Sequence, residues 1–149
     1  MHIVIYGTGG VGGYFGARLA QAGNKVTFIA RGKHLEAIQK NGLKLKSPKG
    51  DYLVFPAKAT SNISEVTNID LILVCVKTWQ LEAAAKEINP VLSEKTMVIS
   101  LLNGVNNVEV LGSVIDLKYI LGGLCKVVSK IDGYGVINHI SYEPTIVFG

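Results

Sequence analysis

Apolar residues along this chain alternate between short unbroken runs and helical stripes. His2-Ile3-Val4-Ile5-Tyr6 opens with a run that reads as a buried strand, and Tyr14-Phe15-Gly16-Ala17-Arg18-Leu19-Ala20 follows as a helix with one apolar stripe. Ala22-Gly23-Asn24 closes that helix with a glycine near its C-cap, and residues 25–30 read as the next strand. A second short helix is predicted over residues 34–41, stopped by Gly42. Residues 43–46 and 52–55 are strands around Ser47-Pro48-Lys49-Gly50-Asp51, where proline and glycine mark a turn; the pair reads as an edge hairpin. Thr60-Ser61-Asn62-Ile63-Ser64-Glu65 supplies polar residues and a helix-cap signal. Residues 71–76 are apolar on both faces, as in a parallel strand covered by helices from either side. From Trp79 onward Leu81, Ala84, Ala85 and Ile88 repeat at helical spacing until Pro90 stops them. Residues 97–101 form another strand and residues 105–111 another short helix. Strands near residues 119–121, 135–139 and 145–148 have no long helix between them, which predicts antiparallel pairing at the end of the sheet.

Strand and helix alternate over most of the length, which predicts an α/β fold. The first crossover says more. Gly7, Gly9 and Gly12 stand at G-x-G-x-x-G spacing within Tyr6-Gly7-Thr8-Gly9-Gly10-Val11-Gly12, directly after the first strand and at the opening of the first helix. In such a turn the first glycine permits a tight exit, the second lets backbone approach a pyrophosphate, and the third lets the helix lie close on the sheet. The helix then aims its free N–H groups and the positive end of its dipole at the phosphates. Gly7, Thr8, Gly9, Gly10, Val11 and Gly12 are therefore candidate cofactor-binding residues. The chain reads as one Rossmann-like domain over residues 1–149, with a doubly wound, mainly parallel sheet, helices on both faces and some antiparallel strands toward the C-terminus.

The end of the second strand bears on which dinucleotide is bound. An NAD site carries an Asp or Glu there to accept from the ribose 2′-hydroxyl. Here the chain reads Ile29-Ala30-Arg31-Gly32-Lys33, with no acid before Glu36. A carboxylate repels a 2′-phosphate, whereas Arg31 pairs with one through charge-assisted hydrogen bonds. The expected cofactor is NADP(H).

Composition narrows the class without redirecting it. With 149 residues and 48% hydrophobic content the chain buries a real core as a single domain. No apolar run approaches the roughly 18–20 residues of a membrane span, and no charged leader precedes the first strand. Two cysteines, Cys75 and Cys125, are too few for a disulfide framework and read as thiols in a reducing cytoplasm. Six of the 15 basic residues fall between Arg31 and Lys49, but no interleaved aromatics accompany them, so nucleic acid is not the expected partner. The three histidines show no metal-ligand spacing.

Two polar residues follow later strands directly: Lys77 after Val76, and Asn103 in Leu102-Asn103-Gly104. Parallel sheets bind ligands at the carboxyl ends of their strands. Lys77 is thus a candidate for phosphate or ribose oxygens, and Asn103 for the nicotinamide ribose or a polar substrate. Taken together, the glycine turn, Arg31, the Gly42-Leu43-x-Leu45-x-Ser47-Pro48-x-Gly50-Asp51 hairpin, Val76-Lys77-x-x-Gln80 and Asn103-Gly104 resemble ketopantoate reductase (2-dehydropantoate 2-reductase), over the N-terminal half of that family. The resemblance implies an NADP-dependent reduction of 2-dehydropantoate to (R)-pantoate in pantothenate biosynthesis. It implies Arg31 at the 2′-phosphate, Lys77 and Asn103 on the nicotinamide side, Gln80 in support, and a contact near Ser129. It also implies a C-terminal helical domain, absent from this chain, that supplies the lysine proton donor and most keto-acid contacts, so no catalytic residue is expected here. Two alternatives remain open: an NADP-dependent reductase of another 2-keto or 3-hydroxy acid, and a non-catalytic nucleotide-sensing Rossmann module.

Overall fold

The computed structural model of the protein describes residues 1–149, the side chain of Tyr142 excepted. In chain order the elements are β1 (His2–Tyr6), α1 (Gly10–Gln21), β2 (Lys25–Ile29), α2 (Gly32–Asn41), β3 (Leu43–Lys46), β4 (Tyr52–Val54), β5 (Lys58–Thr60), β6 (Leu71–Val74), α3 (Leu81–Ile88), β7 (Met97–Ser100), α4 (Asn107–Gly112), β8 (Ile120–Leu121), β9 (Gly123–Ile131) and β10 (Val136–Phe148). Single 3-10 turns punctuate them, among them Thr78–Gln80 just before α3.

Six strands form a sheet in the order β5-β2-β1-β6-β7-β8, every pairing parallel. In chain order that is 3-2-1-4-5-6, the doubly wound arrangement, with the switch in direction between β1 and β6. Successive side chains of a strand point to opposite faces, and both faces are buried. Ile3, Ile5, Phe28 and Leu73 pack toward α1, while Val4, Tyr6, Ile72, Val74 and Val98 pack toward α3 and α4. The sequence-predicted fold class holds in these terms.

A second, four-stranded sheet runs β4-β3-β10-β9 and packs on the far side of α1, which is thereby held between two sheets. This explains the small residues along α1. A Cβ on Gly13 would come within 2.5 Å of Ile137 in β10, and one on Gly16 within 2.5 Å of Phe28 in β2. On the same helix, Tyr14 packs against His139, ring centroids 4.7 Å apart, and is 4% exposed.

The second sheet corrects part of the expected C-terminal arrangement. Antiparallel pairing is present, between β9 and β10 and between β3 and β4, but it does not finish the main sheet: β8 pairs parallel to β7. The hairpin is not an isolated edge ribbon either, because β3 pairs in parallel with β10. The two strands expected near residues 135–139 and 145–148 are one strand, β10, whose register shifts between His139 and Ser141 and again between Ser141 and Thr145. Those irregularities, and Pro144 inside the strand, break the alternation by which a sequence announces a strand. β9 and β5 are further strands not anticipated: β9 exposes Leu124 and Val128 alongside Lys126 and Lys130, and β5 has three residues.

Candidate functional site

A cavity of about 390 Å³ opens at the carboxyl ends of β1, β2 and β6, beside the switch point of the sheet. Its floor is the turn Gly7-Thr8-Gly9; its sides come from Ala30 and Arg31 after β2, Val76 and Lys77 after β6, and Gln80, Ala84 and Glu87 along the α3 segment.

The turn is shaped by what its glycines touch. Gly7 has φ +102°, a conformation L residues rarely adopt, and an added Cβ would press on the Cys75 backbone at 3.0 Å. A Cβ on Gly12 would lie 2.0 Å from the Gly7 carbonyl oxygen. Gly9 differs: nothing lies within 4 Å of its would-be Cβ, so its backbone is open to a ligand. Gly10 is tight for another reason, since its Cβ would lie 2.3 Å from the carbonyl oxygen of Ser129. The start of α1 is thus wedged against β9.

Thr8, in the cavity floor, has its polar groups engaged. Its backbone N–H (3.1 Å) and its hydroxyl (2.9 Å) both donate to the Ile29 carbonyl. Its own carbonyl accepts from His34 Nε2 at 2.7 Å, while His34 Nδ1 accepts from the Gly135 N–H at 2.9 Å. Because Nδ1 is the acceptor, the imidazole proton sits on Nε2, and His34 ties the turn after β1 to the β9–β10 turn. Of the residues predicted to hold pyrophosphate, Thr8 shapes the turn with its N–H and hydroxyl both engaged. The N–H groups at the helix start, Gly10, Val11 and Gly12, have no intrahelical partner by geometry.

A dinucleotide fits these residues. No side chain caps α1 and its first turn carries no acid, so an anion meets bare N–H groups and the positive dipole end. In β9, whose backbone packs on the helix start, the Ser129 hydroxyl is buried with no hydrogen-bond partner among the described residues, and Ser129 does not line the cavity. An uncapped helix start and an open Gly9 backbone are what a bound phosphate group would complete.

Opposite the turn, Arg31 is exposed and pairs loosely with Glu87, Nη2 to Oε1 at 3.7 Å. The other carboxylate oxygen of Glu87 accepts from the buried Tyr6 hydroxyl. Burial first, then the Glu87 hydrogen bond and charge, push the Tyr6 phenol well above its usual range. Lys77 is exposed; its backbone N–H donates to the Gln80 side-chain oxygen at 3.0 Å, and the Gln80 N–H returns a bond to the Lys77 carbonyl at 2.9 Å. Gln80 thereby fixes the path of the chain at Lys77. Asn103 stands exposed at the carboxyl end of β7 and does not line the cavity; Asn107 pins its loop by donating to the Leu102 carbonyl at 2.9 Å. Burial pushes the Cys75 thiol far up, with Cys125 also raising it, and burial raises Cys125, so both stay neutral thiols.

Sequence reasoning missed Tyr6, Glu87 and the bridging role of His34. One signal for Glu87 exists: it lies seven residues after Gln80, two helical turns along the same face.

With the geometry in place, comparison with known proteins is specific. The family model described as "Ketopantoate reductase PanE/ApbA" matches residues 3–149. An uncharacterised oxidoreductase of Bacillus subtilis, YkpB, is 34% identical over all of this chain and 48% of its own length. The crystal structure of 2-dehydropantoate 2-reductase from Geobacter metallireducens superposes with a TM-score of 0.93 at 33% identity, covering 100% of this chain and 49% of that one. D-mandelate dehydrogenase, solved with NADH and anilino(oxo)acetate, superposes with a TM-score of 0.88 at 26% identity, over 99% of this chain and 48% of that one. The chain spans about half the length of the curated relatives it matches.

Proposed function

The chain belongs to the ketopantoate reductase family of oxidoreductases, and on that premise we propose that it is the NADP-binding half of a cytoplasmic 2-dehydropantoate 2-reductase, forming (R)-pantoate for pantothenate biosynthesis. One observation carries the reading: the cavity at the switch point gathers an uncapped helix start, the open Gly9 backbone and Arg31 around one space.

When bound, NADPH supplies the hydride for the 2-keto carbon. The residues of this chain hold and orient it. The N–H groups from Gly9 to Gly12 take the pyrophosphate, with Gly7 and Thr8 fixing the turn beneath, and Ser129 closes the helix side. Arg31 takes the 2′-phosphate. Lys77, kept in place by Gln80, and Asn103 serve the nicotinamide ribose, and Asn103 also reaches toward the keto acid. Since the relatives are about twice as long, a C-terminal helical domain supplies the lysine that protonates the product oxygen and most of the keto-acid site.

A second reading is a reductase of another 2-keto acid, favoured by the likeness to D-mandelate dehydrogenase. Calorimetric titration with NADPH, followed by NADPH oxidation with 2-dehydropantoate and a panel of other 2-keto acids, tests both. The 149-residue chain should bind NADPH yet leave it unoxidised, because proton transfer and held geometry each contribute orders of magnitude. Absence of binding removes the reading. Turnover by this chain would place the proton donor within it, with Lys77 and Lys126 the first to test.

A further inference from the structure

Among the described residues lining the cavity, Glu87 is the only carboxylate. It comes not from the end of β2, where an NAD site carries its acid, but from α3 on the opposite wall, and it reaches the same guanidinium. Its two oxygens have different partners: Oε1 faces Arg31 at 3.7 Å, and Oε2 accepts from Tyr6, which is 4% exposed.

An ion pair between two exposed side chains holds little by itself. Tyr6 changes that, because a buried phenol anchors one end of the carboxylate and leaves the other beside Arg31. Resting on the reading of the Arg31 end as the adenosine-ribose site, we propose that Glu87, fixed by Tyr6, determines how strongly this site prefers a 2′-phosphate over a 2′-hydroxyl. The carboxylate opposes Arg31 in two ways. It shares the guanidinium with any incoming phosphate, and it sets a like charge close to that phosphate. Toward a 2′-hydroxyl it does the reverse, since an ionised carboxylate is an acceptor. Arg31 draws in NADPH; Glu87 keeps NADH admissible.

Glu87→Gln removes the charge and retains an oxygen for the Tyr6 hydroxyl. Calorimetric titrations of this chain with NADPH and with NADH should show the NADPH-to-NADH affinity ratio rising roughly tenfold in Glu87→Gln, mainly through tighter NADPH. Arg31→Ala should lower the same ratio. Tyr6→Phe, checked for fold by circular dichroism, should raise it by a smaller factor, about two- to threefold, by freeing the carboxylate from its anchor. An unchanged ratio in Glu87→Gln, with Arg31→Ala still selective against NADPH, overturns this role for Glu87 and leaves the site reading intact. Equal loss of both nucleotides in Arg31→Ala, or no binding of either by the parent chain, removes the site reading and this role together.

Discussion

At the amino ends of β1 and β6 the polar groups pair with one another, whereas at the carboxyl ends of the same strands the uncapped start of α1, Arg31 and Lys77 stand around a cavity. His2 is 6% exposed, its N–H donates to Asp70 at 2.7 Å, its Nδ1 meets the Thr67 carbonyl at 3.0 Å, and its Nε2 meets the Thr27 hydroxyl at 2.9 Å. Asp70 in turn pairs with Lys95 at 3.1 Å, and Thr96 donates to the Ile69 carbonyl at 2.8 Å. At the other end α1 starts without a cap, the Ser129 hydroxyl is orphaned, and Arg31 holds a long, exposed ion pair. Buried polar groups cost stability unless bonded, so an end that tolerates unpaired ones is an end arranged for something else. One end of the sheet stabilises the fold; the other is the end at which we propose a ligand binds.

The largest expected effect breaks the carboxyl end alone. Gly9 has φ −87°, ordinary for any residue, and its would-be Cβ meets nothing within 4 Å. Gly9→Val should therefore leave circular dichroism and thermal unfolding at parent values while filling the space a pyrophosphate must enter. NADPH binding should fall below detection in calorimetry. Retained affinity in the folded variant would show that phosphate does not approach there, and the contrast between the two ends would lose its main support.

Arg31→Ala sharpens the contrast further. Hydrogen bonds to charged groups are worth about 1.5–3 kcal/mol, or roughly 10- to 150-fold in affinity. NADPH should weaken by that factor and NADH much less, with the gap narrowing as salt rises. Stability should not move, since the Arg31 side chain is 69% exposed.

How far each end is legible in the sequence follows from the same difference. The turn after β1 can be read because its glycines are fixed by local geometry: Gly7 by its backbone angle, Gly12 by the Gly7 carbonyl. Arg31 and Lys77 can be read because each directly follows a recognisable strand. Glu87 cannot be read in that way, since its meaning depends on where α3 lies over the cavity, although its seven-residue spacing from Gln80 marks the shared face. The second sheet was least legible. β10 is broken by bulges, and β9 exposes apolar and basic residues on the same side, so neither shows the strict alternation of a half-buried strand. The packing at Gly10 is illegible for the same reason, since its tight spacing answers to the backbone of β9.

At the amino end, His2→Ala should do the opposite of Gly9→Val. It strips partners from the Thr27 hydroxyl, itself 4% exposed, and from two carbonyls. Leaving buried groups unpaired costs about 1–3 kcal/mol, which lowers the melting temperature by about 2–4 °C per kcal/mol in a domain of this size. NADPH affinity should stay at the parent value. A loss of affinity without a loss of stability would mean that the two ends are not separate in role.

The smallest effect is a pH dependence confined to that amino end. Burial first, then the Lys25 charge, hold the His2 imidazole below its ordinary value of about 6.5. In the unfolded chain the imidazole takes a proton more readily, so below about pH 6.5 the unfolded state binds more protons than the folded one. His2 therefore contributes stability that is present above its unfolded value and lost as pH falls through it. Other groups titrate over the same range, so the readout is a difference: melting temperatures of the parent and of His2→Gln, each at about pH 7.5 and about pH 5. Glutamine cannot ionise, so the parent should lose more between the two conditions than the variant does. Equal losses would mean that His2 is as readily charged in the fold as outside it, and that its hydrogen bonds at the foot of the sheet accept the imidazolium without cost.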